Sequence, residues 1–183
     1  MTTAPPEAVV RYTPRGNIAT VWRARDSEIL VEGPSGTGKT RGILTWQHLR
    51  RLKFPHSRGL IVRRTLRSLT GTALVTFREK VLIEGEPVSF FGGSSAEPAS
   101  FRYANGSVLV VGGLDDVEKV LSSEYDDVYF NEATEGQEPN WEVLTTRLRN
   151  GVCPHQRLIG DCNPTIDRHW LNQRCNRGMT RRF

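Results

Sequence analysis

Gly33-Pro34-Ser35-Gly36-Thr37-Gly38-Lys39-Thr40 matches the P-loop pattern G-x-x-x-x-G-K-[ST] at every fixed position. The flanks suit it. Glu28-Ile29-Leu30-Val31-Glu32 reads as a short strand before the loop. After it, Ile43, Trp46, Leu49 and Leu52 recur at a roughly helical spacing. A strand, a glycine loop and a helix make a phosphate cradle. Backbone N–H groups turn inward, and the helix N-terminus adds partial positive charge. In such a cradle Lys39 reaches the β- and γ-phosphates of ATP, and the Thr40 hydroxyl ligates Mg²⁺. The nucleotide-contacting set read from this stretch is the eight quoted residues and the Arg41 that follows them.

A chain of 183 residues is long enough for one α/β domain with a real core. Residues 1–17 read as an extended arm. No apolar run approaches membrane-spanning length, and the N-terminus lacks the charge and apolar pattern of a secretory leader. Three cysteines with no CxxC pair suggest reduced thiols in a cytosolic compartment. Cys153, His155, Cys162, His169 and Cys175 lack the spacing of zinc modules, so the cysteines read as core or loop residues.

Charge is segregated along the chain. Residues 1–78 hold 14 basic and 4 acidic side chains, residues 79–142 hold 3 and 14, and residues 143–183 hold 8 and 2. Arginine supplies 21 of the 25 basic residues, and its fork binds phosphate oxygens in pairs. Two basic segments around an acidic one suit a polyanion partner, or an ordinary solvated surface.

The remaining pattern alternates strands and helices. Residues 60–62 read as a buried strand and 65–84 as a helix. Residues 85–99 read as a loop or excursion. Ala104-Asn105-Gly106 marks a hairpin between two short strands. Asp115 to Leu121 reads as a short helix, and Asp127–Phe130 as a strand. A helix follows over about 140–149, then a strand at 157–160 and a helix at 168–176. This order predicts an α/β fold, a mostly parallel sheet with helices on both faces. Ligands of such sheets bind at the carboxyl ends of the strands, where the P-loop, Glu132 and Asn163 would all lie.

Hydrolysis needs a group to hold the metal and a group to orient water. Glu132, after the strand ending at Phe130, is the candidate for the water. It would equally suit the first turn of the next helix. Its neighbour Asn131 stands where a metal-holding carboxylate is usual. An amide keeps the acceptor oxygen but loses the charge, which Asp127 or a water would have to make good. The metal set is therefore Thr40, Asn131 and Glu132. Asn163 in Asp161-Cys162-Asn163-Pro164 suits a γ-phosphate sensor, or simply a turn. Arg147 and Arg149 suit an arginine finger, DNA phosphate contacts, or a solvated helix end. Adenine is expected near the N-terminal arm, with Tyr12, Arg15 or Trp22 beside it.

The ordered motifs resemble the ATPase half of the large terminase subunit of tailed bacteriophages. The resemblance runs from Tyr12-Thr13-Pro14-Arg15-Gly16 through the P-loop to Arg58-Gly59-Leu60-Ile61-Val62-Arg63-Arg64-Thr65. It continues in Asn105-Gly106-Ser107, Gly112-Gly113-Leu114-Asp115 and Ser122-Ser123-Glu124-Tyr125-Asp126. Asn131-Glu132-Ala133-Thr134-Glu135, Thr146-Arg147-Leu148-Arg149, Cys162-Asn163-Pro164 and His169-Trp170-Leu171 complete it. The resemblance implies a P-loop NTPase of ASCE type, with Glu132 catalytic and a coupling motif at 161–163. It implies a homo-oligomeric ring docked on a portal protein with a small terminase subunit. That ring drives duplex DNA into a procapsid in the host cytoplasm. A helicase-like ATPase, or a nucleotide- or DNA-binding assembly module with little turnover, is the alternative. The family's nuclease activity is not expected of residues 1–183. The family often places an arginine inside the P-loop, and Pro34-Ser35 stand there instead. The transition-state arginine must then come from elsewhere, with Arg41, Arg147 and Arg149 as candidates.

Overall fold

The structure is a computed structural model that describes residues 12–183. Most of the arm expected at 1–17 lies outside the described residues. Within it, Tyr12 to Arg15 take no regular structure, and helix α1 begins at Asn17 and ends at Arg23.

Eight strands form one sheet: β1 (Glu28–Glu32), β2 (Arg58–Arg63), β3 (Val88–Phe91), β4 (Ala99–Tyr103), β5 (Val108–Gly113), β6 (Asp127–Phe130), β7 (Arg157–Cys162) and β8 (Arg181–Arg182). Their spatial order is β3-β4-β5-β2-β6-β7-β1-β8. The six strands from β5 to β8 run parallel, and β3 and β4 add an antiparallel edge. The expected mostly parallel sheet is present.

Successive side chains on a strand point to opposite faces, and here both faces are covered. Ile29, Val31, Ile61, Tyr129 and Ile159 face one way. They pack against α1, α2 (Lys39–Lys53), α3 (Leu66–Thr70) and α4 (Ala73–Lys80). Leu30, Leu60, Val62, Val128, Phe130 and Leu158 face the other way. They pack against α5 (Val117–Leu121), α6 (Glu138–Thr145) and α7 (Trp170–Asn176).

Four expected elements take another form, and α1 and β8 have no counterpart in the sequence reading. The helix expected over 65–84 is two, α3 and α4, broken at Gly71 and Thr72. The segment 85–99 contains β3, which pairs with β4 as the outer edge of the sheet. The helix expected to 149 stops at Thr145, and Leu148 bridges to Tyr125 instead. The apolar stripe assigned to α2 is half wrong: Leu49 and Leu52 are 45% and 41% exposed. Gln47 and Arg51 are fully buried in their place.

Those buried polar groups have a partner. Asp127, at the start of β6, accepts from Gln47 Nε2 (2.9 Å), Arg50 Nε (2.9 Å) and Arg51 Nη2 (2.5 Å). A buried carboxylate is tolerable only when paired and hydrogen-bonded, and here two guanidinium groups do it. The cluster clamps the P-loop helix to the strand that carries Glu132. Gly160 in β7 makes a second close fit. A Cβ there would lie 2.5 Å from the Trp141 ring, so α6 sits directly on the strand behind Asp161.

Candidate nucleotide-binding and catalytic site

Gly36 and Gly38 take positive φ angles of 79° and 83°, which only glycine adopts without strain, so the loop can curl back over the start of α2. Thr37 Oγ1 donates to Pro34 O at 2.9 Å and closes the curl. Lys39 starts the helix. Its Nζ donates to Gly33 O (2.6 Å) and Pro34 O (2.8 Å), with Asn163 Oδ1 at 3.5 Å. An ammonium held among loop carbonyls stands at the mouth of the cradle.

The strand order brings the second half of the site to this loop. β7 lies between β1 and β6, in register, so the strand ends form one rim. Ser35, Gly36, Thr37, Gly38, Lys39, Thr40, Arg41, Glu132, Asp161 and Asn163 line one cavity of about 280 Å³, with Thr76 and Lys80 of α4 opposite. Glu132 and Asn163 thus stand beside the P-loop. Asn131 lies just behind the cavity wall.

Glu132 holds a left-handed backbone (φ 52°, ψ 56°), a strained setting for a residue with a side chain. Its N–H donates to Asp161 Oδ1 at 2.9 Å, which fixes that turn. Burial pushes the Glu132 carboxyl above its ordinary value and the Asp161 charge adds to this, while Arg63 and Lys39 pull it down. A carboxylate raised in this way is a better proton acceptor. Arg63, at the end of β2, forms a bidentate pair with Glu135 (2.9 and 2.5 Å) and so stays near Glu132.

Asp161 is fully buried. Its Oδ1 also accepts from Asn131 Nδ2 at 3.1 Å, and its Oδ2 from Thr40 Oγ1 at 3.2 Å. Asn131 Nδ2 donates further to the Tyr129 hydroxyl at 3.0 Å. Burial pushes Asp161 up, and its donors from Glu132, Tyr129 and Asn131 pull it down. Asn131 Oδ1 is buried with no donor of its own. A hydroxyl and a carboxylate in contact, with an orphaned acceptor on the residue that holds the carboxylate, suit a hard, oxygen-seeking cation with bound water. Among the described residues, no group of three or more His, Cys, Asp or Glu side chains could hold a metal alone. Phosphate oxygens and water would therefore complete such a shell, as Mg²⁺ prefers. Asp127 takes no part, because it lies at the other end of β6 in the arginine clamp.

A neighbouring cavity of about 380 Å³ shares Thr37, Gly38 and Arg41 with the first and adds Tyr12, Thr13, Arg15 and Ile18. The Arg41 guanidinium stacks 5.0 Å from the Tyr12 ring centre, and Trp22 lies 5.8 Å from that ring. Tyr12 and Arg15 therefore flank the P-loop. Arg147 and Arg149 do not come to this rim. Arg147 O accepts from Tyr125 N at 2.8 Å, and Arg149 pairs with Glu124 at 2.8 Å, both at the amino end of β6.

Sequence reasoning missed Arg63, Thr76 and Lys80, and read Asp161 only as part of a coupling motif. The signal for Asp161 was present, a carboxylate at a predicted strand end, but its meaning needs the strand order.

One strand inserted between the P-loop strand and a strand ending in a glutamate defines a P-loop NTPase fold of ASCE type. Within that class, the family model described as phage terminase large subunit matches residues 25–179, and the chain belongs to this family. Among solved structures, the large terminase of a thermophilic bacteriophage is similar over 91% of this chain and 43% of its own, with TM-score 0.72 and 13% identity. The large terminase ATPase domain of Thermus phage P74-26 is similar over 85% of this chain and 67% of its own, with TM-score 0.60 and 16% identity. The N-terminal domain of the DNA packaging ATPase of bacteriophage phi29 follows at 84% and 81%, with TM-score 0.55 and 17% identity. The chain spans 43% of the length of the first of these. No curated protein matches it.

Proposed function

We propose that this chain is the ATPase module of a phage DNA-packaging motor, hydrolysing ATP with Mg²⁺ to drive duplex DNA into a procapsid. The convergence of Lys39, Thr40, Glu132 and Asn163 on one P-loop cavity carries this reading. Family membership supplies the use to which hydrolysis is put. The large terminase of the thermophilic phage is known in complex with ADP and with ATP-γ-S, which fits nucleotide at the equivalent loop.

In this reading the N–H groups of residues 33–40 cradle the phosphates, and Lys39 turns from the loop carbonyls to the β- and γ-oxygens. Bound Mg²⁺ would spread the charge developing on the transferred phosphoryl group. Thr40 and Asn131 would help to hold it. Glu132 orients the attacking water and accepts its proton. Asn163 senses the γ-phosphate, and Tyr12, Arg15 and Arg41 face the nucleoside. Arg147 and Arg149 serve a neighbouring subunit in a homo-oligomeric ring. The ring sits on a portal protein, with a small terminase subunit, in the host cytoplasm. Among the described residues, no helix is long and apolar enough to cross a membrane.

The test is steady-state phosphate release with and without duplex DNA. The reading predicts release that duplex DNA stimulates and that Lys39→Ala lowers by roughly a hundredfold or more. Wild-type protein that binds ATP tightly and releases no phosphate, with or without DNA, would contradict it.

A further inference from the structure

We propose that Asp161, near the end of β7, supplies the metal-shell carboxylate that Asn131, just after β6, lacks, and that Asn131 holds it in place. This rests on the Mg²⁺-ATP reading above.

Three observations carry it. First, Asn131 brings no charge to the site, yet a divalent cation beside a triphosphate is best held by at least one carboxylate. Second, Asp161 Oδ2 stands 3.2 Å from Thr40 Oγ1, the hydroxyl that a P-loop gives to the metal. No other carboxylate among the described residues hydrogen-bonds that hydroxyl. Third, the two positions are joined. Asn131 Nδ2 donates to Asp161 Oδ1 at 3.1 Å, and Tyr129 and the Glu132 N–H support the same pair. With an aspartate at 131, two carboxylates would meet at this distance. The asparagine supplies a donor instead and keeps one negative charge. The charge has moved one strand toward the P-loop strand, because β7 lies between β6 and β1.

The arrangement also explains the orphaned Asn131 Oδ1. An acceptor with no protein donor beside a metal shell would suit a hydrogen bond from a water held there. In a purely structural role, Asp161 would only tie the turn at Glu132 to β7. That role predicts lost stability without any change in metal binding.

The experiment titrates Mn²⁺ by electron paramagnetic resonance against the protein saturated with ADP. In parallel, fluorescent ADP is titrated in EDTA, and thermal unfolding is followed without metal. Asp161→Asn is expected to weaken Mn²⁺ about tenfold or more and to leave metal-free nucleotide affinity within twofold. The exchange Asn131→Asp with Asp161→Asn, which keeps one carboxylate and one amide, is expected to recover most of the lost affinity. It also stands in if the single variant unfolds. Mn²⁺ affinity within twofold of wild type in Asp161→Asn would overturn the proposal, even with lowered stability. So would a folded exchange variant that binds Mn²⁺ no better than the single one, or, if that one unfolds, tenfold worse than wild type. Wild-type protein that binds no ADP would instead overturn the nucleotide reading on which the proposal rests.

Discussion

At the residue scale the site divides into a part written locally and a part assembled at a distance. The P-loop is local. Its glycines, Lys39 and Thr40 sit within eight positions, so their pattern is visible in the chain. The metal side is not. Thr40 meets Asp161 across 121 residues, and only the placement of β7 beside β1 makes them neighbours. The sequence offers Asp127 or a water to make good the missing charge. Burial in the Arg50–Arg51 clamp at the far end of β6 removes Asp127 from consideration. Tyr12 yields a prediction at this scale. Its ring flanks the cavity next to the P-loop and stacks on Arg41. Tyr12→Ala should weaken ATP and ADP alike by roughly tenfold, since stacking on a base contributes about 1–3 kcal/mol. Equilibrium titration with fluorescent ADP measures it. An unchanged dissociation constant would place the base elsewhere.

At the element scale, polar burial inside α2 is what the apolar pattern could not show. Periodicity counts apolar residues, and it cannot foresee that Gln47 and Arg51 become buried by finding Asp127. The same limit hid β3, whose residues pair along the sheet edge within a Gly-, Ser- and Pro-rich stretch. Strands β1 and β6 were legible because they are short, apolar and bounded by clear turns. The clamp gives a stability prediction. Asp127→Ala leaves Arg50 and Arg51 buried without a counter-charge and should cost about 3–5 kcal/mol in denaturant unfolding. A loss below about 1 kcal/mol would mean that the arginines find water or other acceptors. A pH dependence belongs to α2 as well. His48 is buried, with Tyr103 Oη at 3.0 Å from Nδ1 and Glu86 3.2 Å from Nε2. Burial holds its pKa below the ordinary value, while Glu86 pulls it up. The unfolded chain therefore takes the proton first as pH falls. The neutral histidine's contribution is full above about 6.5, the ordinary histidine value, and is lost as pH falls through the lower folded value. Melting temperature should fall with pH across this window less steeply in His48→Gln than in wild type. Equal slopes would remove His48 from the account.

At the scale of the whole molecule, the sheet gathers one half of a catalytic set and leaves the other on a different edge. The P-loop, Glu132, Asp161 and Asn163 share the carboxyl rim. Arg147 and Arg149 lie at the amino end of β6, joined to Tyr125 and Glu124. Arg149 is the exposed one of the two, and its partner Glu124 is half-exposed. No arginine stands inside the P-loop, and in the proposed ring a neighbouring copy would supply one, so turnover per chain is expected to rise with assembly. The central claim remains that Glu132 turns a phosphate cradle into a hydrolysis site. It is tested most directly by single-turnover ATP cleavage in wild type and Glu132→Gln, with duplex DNA and at concentrations where copies associate. The account predicts equal ATP binding and cleavage slowed by about 10²–10⁴ in the glutamine variant. Cleavage at the wild-type rate in Glu132→Gln would contradict it.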